Sequence, residues 1–177
     1  MRRCAVIDWT RLAQAVGALT EQGERGSSEL ARLALVHLLG EQAIRDAVDH
    51  YIAAEPGFEL VRSVLWLLRP WSAMCYCHAL YQDAQDLEVR RSAVELLRVV
   101  ADARALPWVE AFLADEDQAI QCWGFGVVDT LLFQDLIEPE AAETFLVRAE
   151  VHANPGVREQ AAAVRATLAR RLQVAAG

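Results

Sequence analysis

The sequence predicts an all-α fold in which about five antiparallel helical hairpins stack into an α-solenoid. Three observations support this prediction. Ala, Leu, Val, Glu and Arg dominate the 177 residues and no Val/Ile/Tyr-rich alternation persists, so helix is favoured over strand. One short pattern of polar and apolar residues recurs along the chain. Its copies follow one another at intervals of about 30 residues, which is typical of stacked helical repeats.

The recurring pattern starts at an acidic or turn-forming residue and continues with apolar residues at helical spacing. An aliphatic anchor follows three residues later, then a small or β-branched residue and a pair of Leu or Val; 86–97 and 117–128 are the clearest copies. This spacing places the apolar side chains on one face of a helix that the polar residue can cap. Each copy therefore predicts the second helix of a hairpin. The anchors are Leu30, Leu60, Val89, Ile120 and Val157.

The first helix of each hairpin is predicted by an apolar-periodic segment ahead of each anchor, at about 8–21, 41–54, 71–82, 103–114 and 138–151. Helix breakers separate these segments at Gly23-Glu-Arg-Gly26, Gly40, Pro56-Gly57, Pro70, Pro107 and Pro155-Gly156. The hairpins are therefore expected at about 8–39, 41–68, 71–100, 103–132 and 138–174, within one domain covering 1–177. An inserted loop, Phe133–Pro139, accounts for the longer last interval.

Two central segments carry a recognisable repeat signature, D-x-D-x-x-[VI]-R-x-x-A. The run Asp115-Glu-Asp117-Gln-Ala-Ile120 matches its acidic half, and Val89-Arg90-Arg-Ser-Ala93 matches its second half. These units resemble HEAT repeats of the short kind that also occurs in phycobilin-lyase-like proteins. The resemblance implies that the Asp before a helix and the Arg after its aliphatic anchor tie neighbouring units together. Gln121 replaces that Arg in the fourth unit, so the tie is not implied there.

Composition favours a cytoplasmic protein of a GC-rich bacterium. All 17 basic residues are arginine. The four cysteines show no spacing typical of a disulfide framework, which favours a reducing compartment. The apolar run after Arg3 is too short for a signal peptide, and no segment approaches the roughly 20 apolar residues of a membrane span. We therefore expect neither export by that route nor membrane insertion.

The acidic residues are concentrated in one segment. Between Glu110 and Glu150 ten carboxylates stand against Arg148 alone, giving −9, so the segment accounts for the whole net charge of −8. Such a charge disfavours nucleic acid as a partner, because binding to phosphates depends on Lys and Arg. Two interpretations remain open. The acids are solvated loops and helix N-termini, or they form an acidic face for a basic partner, with Asp115, Glu116 and Asp117 at its centre.

A second candidate surface follows from the non-core positions of the second helices. In HEAT stacks these helices line one continuous surface that faces the partner. Arg and Trp are over-represented at interface hot spots. The candidate partner-binding residues are Arg62, Trp66, Arg69, Arg91, Glu95, Arg98, Gln121, Phe125 and Asp129. The alternative is that Trp66 belongs to the core and that the arginines are merely solvated.

Two glycines in the run Trp123-Gly-Phe-Gly126 lie inside a predicted helix. Each costs about 1 kcal/mol relative to Ala and requires a reason. We expect a neighbouring helix to pack tightly against Gly124. For Gly126, close packing and room for a partner on the surface are equally good explanations.

Residues with catalytic or metal-binding chemistry form no convincing constellation. Cys75 and Cys77 point about 200° apart in a helix and cannot share one ion, so packed thiols are expected. Asp49-His50-Tyr51 could form an acid–base cluster, but His50 ends a predicted helix, where it complements the dipole. No phosphate loop, H-E-x-x-H pair or nucleophile elbow is present. The sequence predicts neither metal nor cofactor, and no enzymatic activity.

The function predicted from these features is the binding of another protein. A small, acidic HEAT-type chain is similar to immunity proteins that neutralise a bacterial toxin by direct binding, and the acidic segment would suit a basic toxin domain. A scaffold or adaptor is equally consistent with the residues. The alternative is an enzyme on the same scaffold. A glycosylase of the HEAT-like class would need a basic groove for DNA, which the net charge of −8 contradicts, and a phycobilin-lyase-like protein implies a photosynthetic source.

Overall fold

A computed structural model of the protein describes residues 7–175 and shows an all-α fold. Nine α-helices lie within these residues, and most pack against their neighbours in sequence. They are α1 Trp9–Ala15, α2 Ser28–Ile52, α3 Phe58–Leu68, α4 Trp71–Asp83, α5 Leu87–Val100, α6 Val109–Leu113, α7 Gln118–Phe133, α8 Pro139–Glu150 and α9 Pro155–Ala175. No helix in this part of the chain is long and apolar enough to cross a membrane.

The predicted starts of the second helices are confirmed. Helices α2, α3, α5, α7 and α9 each begin at the residue directly after the polar or glycine residue that opens the repeat pattern. Ser27, Asp86 and Asp117 accept hydrogen bonds of 2.8 to 3.1 Å from backbone N–H groups of the first turn. These bonds satisfy donors that have no partner within the helix, which fixes where each helix starts.

Two of the predicted first helices differ from the expectation. The segment 8–21 is helical only to Ala15, because Gly17 takes a positive φ of 75° and the chain continues as a short antiparallel hairpin of β1 Leu19–Thr20 and β2 Gly23–Glu24. The segment 103–114 begins as a 3-10 helix, Ala103–Trp108, before α6. Pro107 lacks the N–H that a regular α-helix would use there.

Gly40 produces a kink where a loop was expected. With φ 77° and ψ 162° it interrupts the helical backbone inside α2, so the predicted helices on either side form one bent element. Glycine adopts this conformation without the strain that a side chain would impose. The first two predicted hairpins are therefore continuous through a single residue.

The predicted apolar face of α3 comprises Leu60, Val64, Leu67 and Leu68, and of these only Leu68 is buried. The anchor Leu60 and its partner Leu67 are 70% and 58% exposed, whereas Leu65 and Leu68 are buried. Helix α3, FELVRSVLWLL, carries Glu59, Arg62 and Ser63 on one side and apolar residues over the rest. This apolar side is wider than its neighbours cover, so periodicity alone does not choose which part of it faces inward. Packing against its neighbours selects Leu65 and Leu68 and leaves Leu60 and Leu67 outside.

The hydrophobic core runs from the second half of α2 to α9, with α7 at its centre. Helix α7 contacts α5, α6, α8 and α9 and buries Ile120 and every residue from 124 to 128. Phe112 of α6 and Phe125 of α7 are among the largest fully buried side chains. Since most of α7 is enclosed, its backbone position determines where four other helices lie.

Gly124 allows α6 to approach α7 closely, as predicted. A Cβ built on Gly124 would overlap the Cβ of Phe112 and lie 2.9 Å from its Cγ. Phe112 is fully buried and cannot move aside without disturbing the core. The glycine therefore offsets its cost in helix propensity by permitting this contact.

We predict that Gly124→Ala lowers the free energy of unfolding by about 2 kcal/mol, because overpacking at Phe112 outweighs the gain in helix propensity. Urea denaturation followed by circular dichroism measures the change. Gly26→Ala is the control, since no atom lies within 4 Å of its added Cβ, and it should change stability by less than about 0.5 kcal/mol. Equal stability of Gly124→Ala and wild type would contradict the packing argument.

Candidate functional site

A surface groove lies between α3, α5 and the end of α7. It has a volume of about 380 Å³ and is lined by Arg62 and Trp66 from α3, Arg98 from α5, and Thr130 and Gln134. Three of the residues predicted to bind a partner therefore meet at one place. Trp66 is 47% exposed, which excludes the alternative that it belongs to the core.

The arginines around the groove retain unused hydrogen-bonding capacity. Arg62 pairs with Glu59 at 3.1 Å, and Arg69 donates to the side-chain oxygen of Gln134. The Nε atoms of Arg62 and Arg69 are buried and have no hydrogen-bond partner within the described part of the chain. Unsatisfied buried donors of this kind cost free energy.

Arg98 is held in place by two contacts. Its guanidinium lies 5.0 Å from the centre of the Trp123 ring, a cation–π geometry. A Cβ on Gly126 would lie 2.5 Å from the Cδ of Arg98, so the arginine side chain occupies the space that this glycine leaves. The space above Gly126 is thus filled by the protein's own side chain, and the explanation that it is left open for a partner is wrong.

Two acidic groups near the groove have raised pKa values. Burial raises the pKa of Tyr51 to about 12, with Glu95 adding to the effect and Arg62 opposing it. Partial desolvation raises the pKa of Asp129, which Arg98 opposes. Tyr51 therefore stays neutral at physiological pH.

The groove combines the aromatic side chain of Trp66 with the guanidinium groups of Arg62 and Arg98. This arrangement can bind carboxylate and aromatic groups.

The acidic triplet Asp115, Glu116 and Asp117 is largely used inside the protein. Asp115 pairs with Arg90 at 2.5 Å, and Asp117 pairs with Arg91 at 2.5 Å. The side chains of Asp115 and Asp117 are mostly buried, whereas Glu116 is exposed. The prediction that Asp115 and Asp117 contact a partner is therefore wrong, because both carboxylates are neutralised by arginines of the same chain. The Arg90–Asp115 pair joins α5 to the loop before α7, the tie that the HEAT resemblance implies.

Gln121 makes a different tie in the fourth unit. Its amide nitrogen donates to the carbonyl of Asp115 at 2.6 Å, and its amide oxygen accepts from Asn154 at 2.9 Å. Asn154 is buried and also caps the start of α9, with its Oδ1 accepting from Gly156 N at 2.9 Å. The amide pair thus connects α7 to the start of α9, without the arginine that the signature places at this position.

The remaining candidates lie apart from the groove lining. Phe125 is fully buried among core residues and cannot contact a partner. The prediction that Phe125 binds a partner is therefore wrong. Arg91 is engaged by Asp117 and by Glu88. Glu95 on α5 is half-buried and Asp129 on α7 is exposed.

The groove also contains residues that the sequence pattern missed. Thr130 directly follows the candidate Asp129, and Gln134 is the residue after the last residue of α7. Both lie on the row of the helix that continues from Gly126 at intervals of four residues. Ser63 and Val99 complete the lining and follow Arg62 and Arg98 directly in sequence.

Residues with catalytic or metal-binding chemistry elsewhere are occupied by packing. Cys77 is buried, and burial raises the pKa of its thiol. His78 stacks on Trp108 with ring centres 4.2 Å apart, and burial lowers its pKa. Across residues 7–175, apart from side chains the structure leaves undescribed, no group of three or more His, Cys, Asp or Glu could hold a metal ion.

The side chains of Asp49, His50 and Tyr51 face different partners. Asp49 accepts from the hydroxyl of Tyr76 at 2.8 Å, and His50 contacts Glu55 at 3.1 Å. Tyr51 packs against Phe58 with ring centres 6.1 Å apart. The three side chains therefore do not form one acid–base cluster.

An exposed apolar surface borders the groove on α3. Leu60, Val64 and Leu67 are exposed on the same helix as Trp66, which lines the groove. Further exposed leucines, Leu33, Leu35, Leu38 and Leu39, lie on the first half of α2. Concentrated apolar exposure of this kind commonly marks an interaction surface.

Comparison with known proteins leaves the chain without a family assignment. No family model, curated protein or solved structure matches it. The HEAT resemblance therefore rests on the short segments 86–97 and 115–128 of this sequence. The groove and the surfaces around it are the features of the molecule that indicate a function.

We predict that Asp117→Asn lowers the urea midpoint of unfolding at pH 7. Asn can still cap α7, so the change removes chiefly the charge that faces Arg91. The hydrogen bond from Arg91 lowers the pKa of Asp117, and a lowered folded-state pKa stabilises the protein above the unfolded-state pKa. The difference between variant and wild type should therefore shrink as the pH falls below about 4 and through the folded-state pKa.

Glu88→Gln is the matched control, because Glu88 contacts the same arginine from an exposed position. It should move the midpoint less than Asp117→Asn does. A difference that persists unchanged at acid pH would show that the ion pair does not contribute.

Proposed function

We propose that the chain is a non-catalytic module that binds another protein through the outer side of α3 and the adjoining groove. The observation that carries the proposal is the orientation of α3. The helix buries Leu65 and Leu68, leaves Leu60 and Leu67 exposed, and places Trp66 in the groove lining with Arg62 and Arg98. An exposed aromatic side chain among arginines, with exposed leucines on the same helix, is typical of an interface hot spot.

The energetics of this surface favour a protein partner. Each large apolar side chain that a partner covers contributes roughly 1.5–3 kcal/mol when fully buried. Arg98 is already positioned by Trp123 and Gly126, so binding orders it at little entropic cost. The guanidinium groups of Arg62 and Arg98 line the groove and can donate to carbonyl or carboxylate groups of the partner. Apolar contacts would supply affinity, and the arginines would supply orientation.

The architecture within this proposal is a HEAT-like stack of helical pairs. Support comes from the sequential pairing of the helices and from the polar ties Arg90–Asp115 and Gln121–Asn154, each of which joins the residue after an anchor to the segment before the next anchor. A stack of this kind builds one extended surface from successive helices. The groove between α3, α5 and α7 is such a surface, because it takes side chains from three consecutive second helices.

The more specific form of the proposal is an immunity protein that neutralises a bacterial toxin by direct binding. It is supported by the sequence resemblance and by the binding surface described above; an adaptor would use the same surface. Co-expression with the product of an adjacent toxin-like reading frame distinguishes the two. Rescue of growth by the wild type, lost in the Trp66→Ala variant, supports the immunity form, and absence of rescue favours the adaptor.

We predict that Trp66→Ala weakens partner binding by about 2 kcal/mol, or roughly 30-fold in Kd, because the anchor of the interface is lost. The partner is first recovered by affinity capture with the tagged wild type from the source cells, and Kd is then measured by calorimetry with purified proteins. Trp9→Ala is the matched control, since Trp9 is 66% exposed on α1, away from the groove, and should change Kd less than about twofold.

A self-association measurement completes this test. Light scattering of the purified protein reports whether α3 is covered by a second copy. A stable dimer that Leu67→Glu dissociates would contradict a separate partner, as would capture that Trp66→Ala leaves unchanged.

We further predict that Gly126→Ala weakens partner binding without lowering stability. The added methyl displaces the flexible side chain of Arg98 from its position, while helix propensity improves by up to about 1 kcal/mol. Kd should rise roughly threefold to tenfold, and the urea midpoint should stay the same or increase. Unchanged binding would show that the position of Arg98 does not matter to the interface.

A further inference from the structure

A larger cleft lies at the C-terminal end of the molecule, away from α3. Its volume is about 780 Å³, and it is bounded by the end of α7, the loop before α8, the first turns of α8 and the last turns of α9. Leu132, Ile137 and Leu168 contribute apolar side chains to its lining. Ile137 and Leu168 are only partly buried, so the cleft exposes apolar surface to solvent.

The inserted loop 133–138 creates this cleft. Asp135 takes a positive φ of 53° and turns the chain sharply at the end of α7. Arg171 of α9 then fixes the turn, donating to the carbonyls of Leu132 and Phe133 at 3.1 and 3.2 Å and to Asp135 at 2.7 Å. Helix α9 is thereby anchored to the loop, and a gap remains between its last turns and the start of α8.

The charges around the cleft leave an anionic rim. Arg165 is neutralised by Glu143 and Glu150 at 2.6 Å each, and Arg171 is engaged by Asp135. Glu138 and Glu140 also line the cleft and form no ion pair within the described residues. Four carboxylates against two guanidiniums give the lining a net charge of −2.

We propose that this cleft binds a basic amphipathic helix of a partner protein. Its apolar side chains would enter the gap between α8 and α9, and its Lys or Arg side chains would reach Glu138 and Glu140. A groove between two helices, apolar inside and charged at the rim, is a common acceptor for an amphipathic helix. The site is independent of the α3 surface, whose arginines would repel the same basic segment.

The probe is a fluorescein-labelled peptide of about 18 residues with Leu at helical spacing and Lys and Ala elsewhere. Fluorescence anisotropy measures its Kd, and amide chemical shifts locate the bound peptide. We expect shifts at 132–143 and 165–171, and Kd at least about tenfold higher for a scrambled peptide of the same composition. A Leu/Glu version of the peptide should not bind, because it places like charge at the rim.

Paired charge variants test the rim. Glu138→Gln/Glu140→Gln should raise the Kd of the peptide by about tenfold and weaken its dependence on salt. Glu116→Gln/Glu159→Gln removes the same charge from exposed positions outside the cleft and should change Kd less than about twofold. Circular dichroism confirms that both variants are folded. Trp66→Ala should bind the peptide as the wild type does, which separates this result from failure of the α3 interface.

Three outcomes would overturn the proposal. Equal affinity for the ordered and scrambled peptides would show non-specific attraction, and unchanged affinity in Glu138→Gln/Glu140→Gln would show that the rim plays no part. Tight binding of dodecyltrimethylammonium without binding of the peptide would assign the cleft to a small cationic amphiphile.

Discussion

The contact between Gly124 and Phe112 is the constraint on which the rest of the structure depends. It brings α6 against α7 at a distance that no side chain at position 124 would permit. Helix α7 is enclosed along most of its length and also contacts α5, α8 and α9. The position of α7 therefore affects both surfaces proposed to bind partners, because Thr130 lines the groove and Leu132 lines the cleft.

Polar ties reinforce this packing with different chemistry at successive units. Arg90 and Asp115 form an ion pair, whereas Gln121 and Asn154 form a neutral amide hydrogen bond at the next unit. The neutral tie lies where Asn154 is buried, and a neutral pair avoids the desolvation cost of a buried charge. The internal use of Asp115 and Asp117 also means that part of the acidic segment is unavailable to a partner.

The two proposed binding surfaces differ in charge and in origin. The α3 surface combines Trp66 with arginine side chains, and it exists because α3 is apolar on more sides than its neighbours cover. The C-terminal cleft combines apolar lining with Glu138 and Glu140, which form no ion pair within the described residues, and it lies where the loop 134–138 turns the chain between α7 and α8 beside α9. A single partner could occupy both only if it carried complementary segments of opposite charge.

The sequence by itself determined where the second helices begin, because capping by Ser27, Asp86 and Asp117 is a local interaction between residues close in the chain. It also predicted the meeting of Arg62, Trp66 and Arg98 from helical periodicity. Only the tertiary structure decided which side of α3 faces inward, that Phe125 is core, and that Arg98 fills the space above Gly126. These outcomes depend on contacts between distant segments, and a periodic pattern cannot choose the inward part of an apolar side that is wider than its neighbours cover.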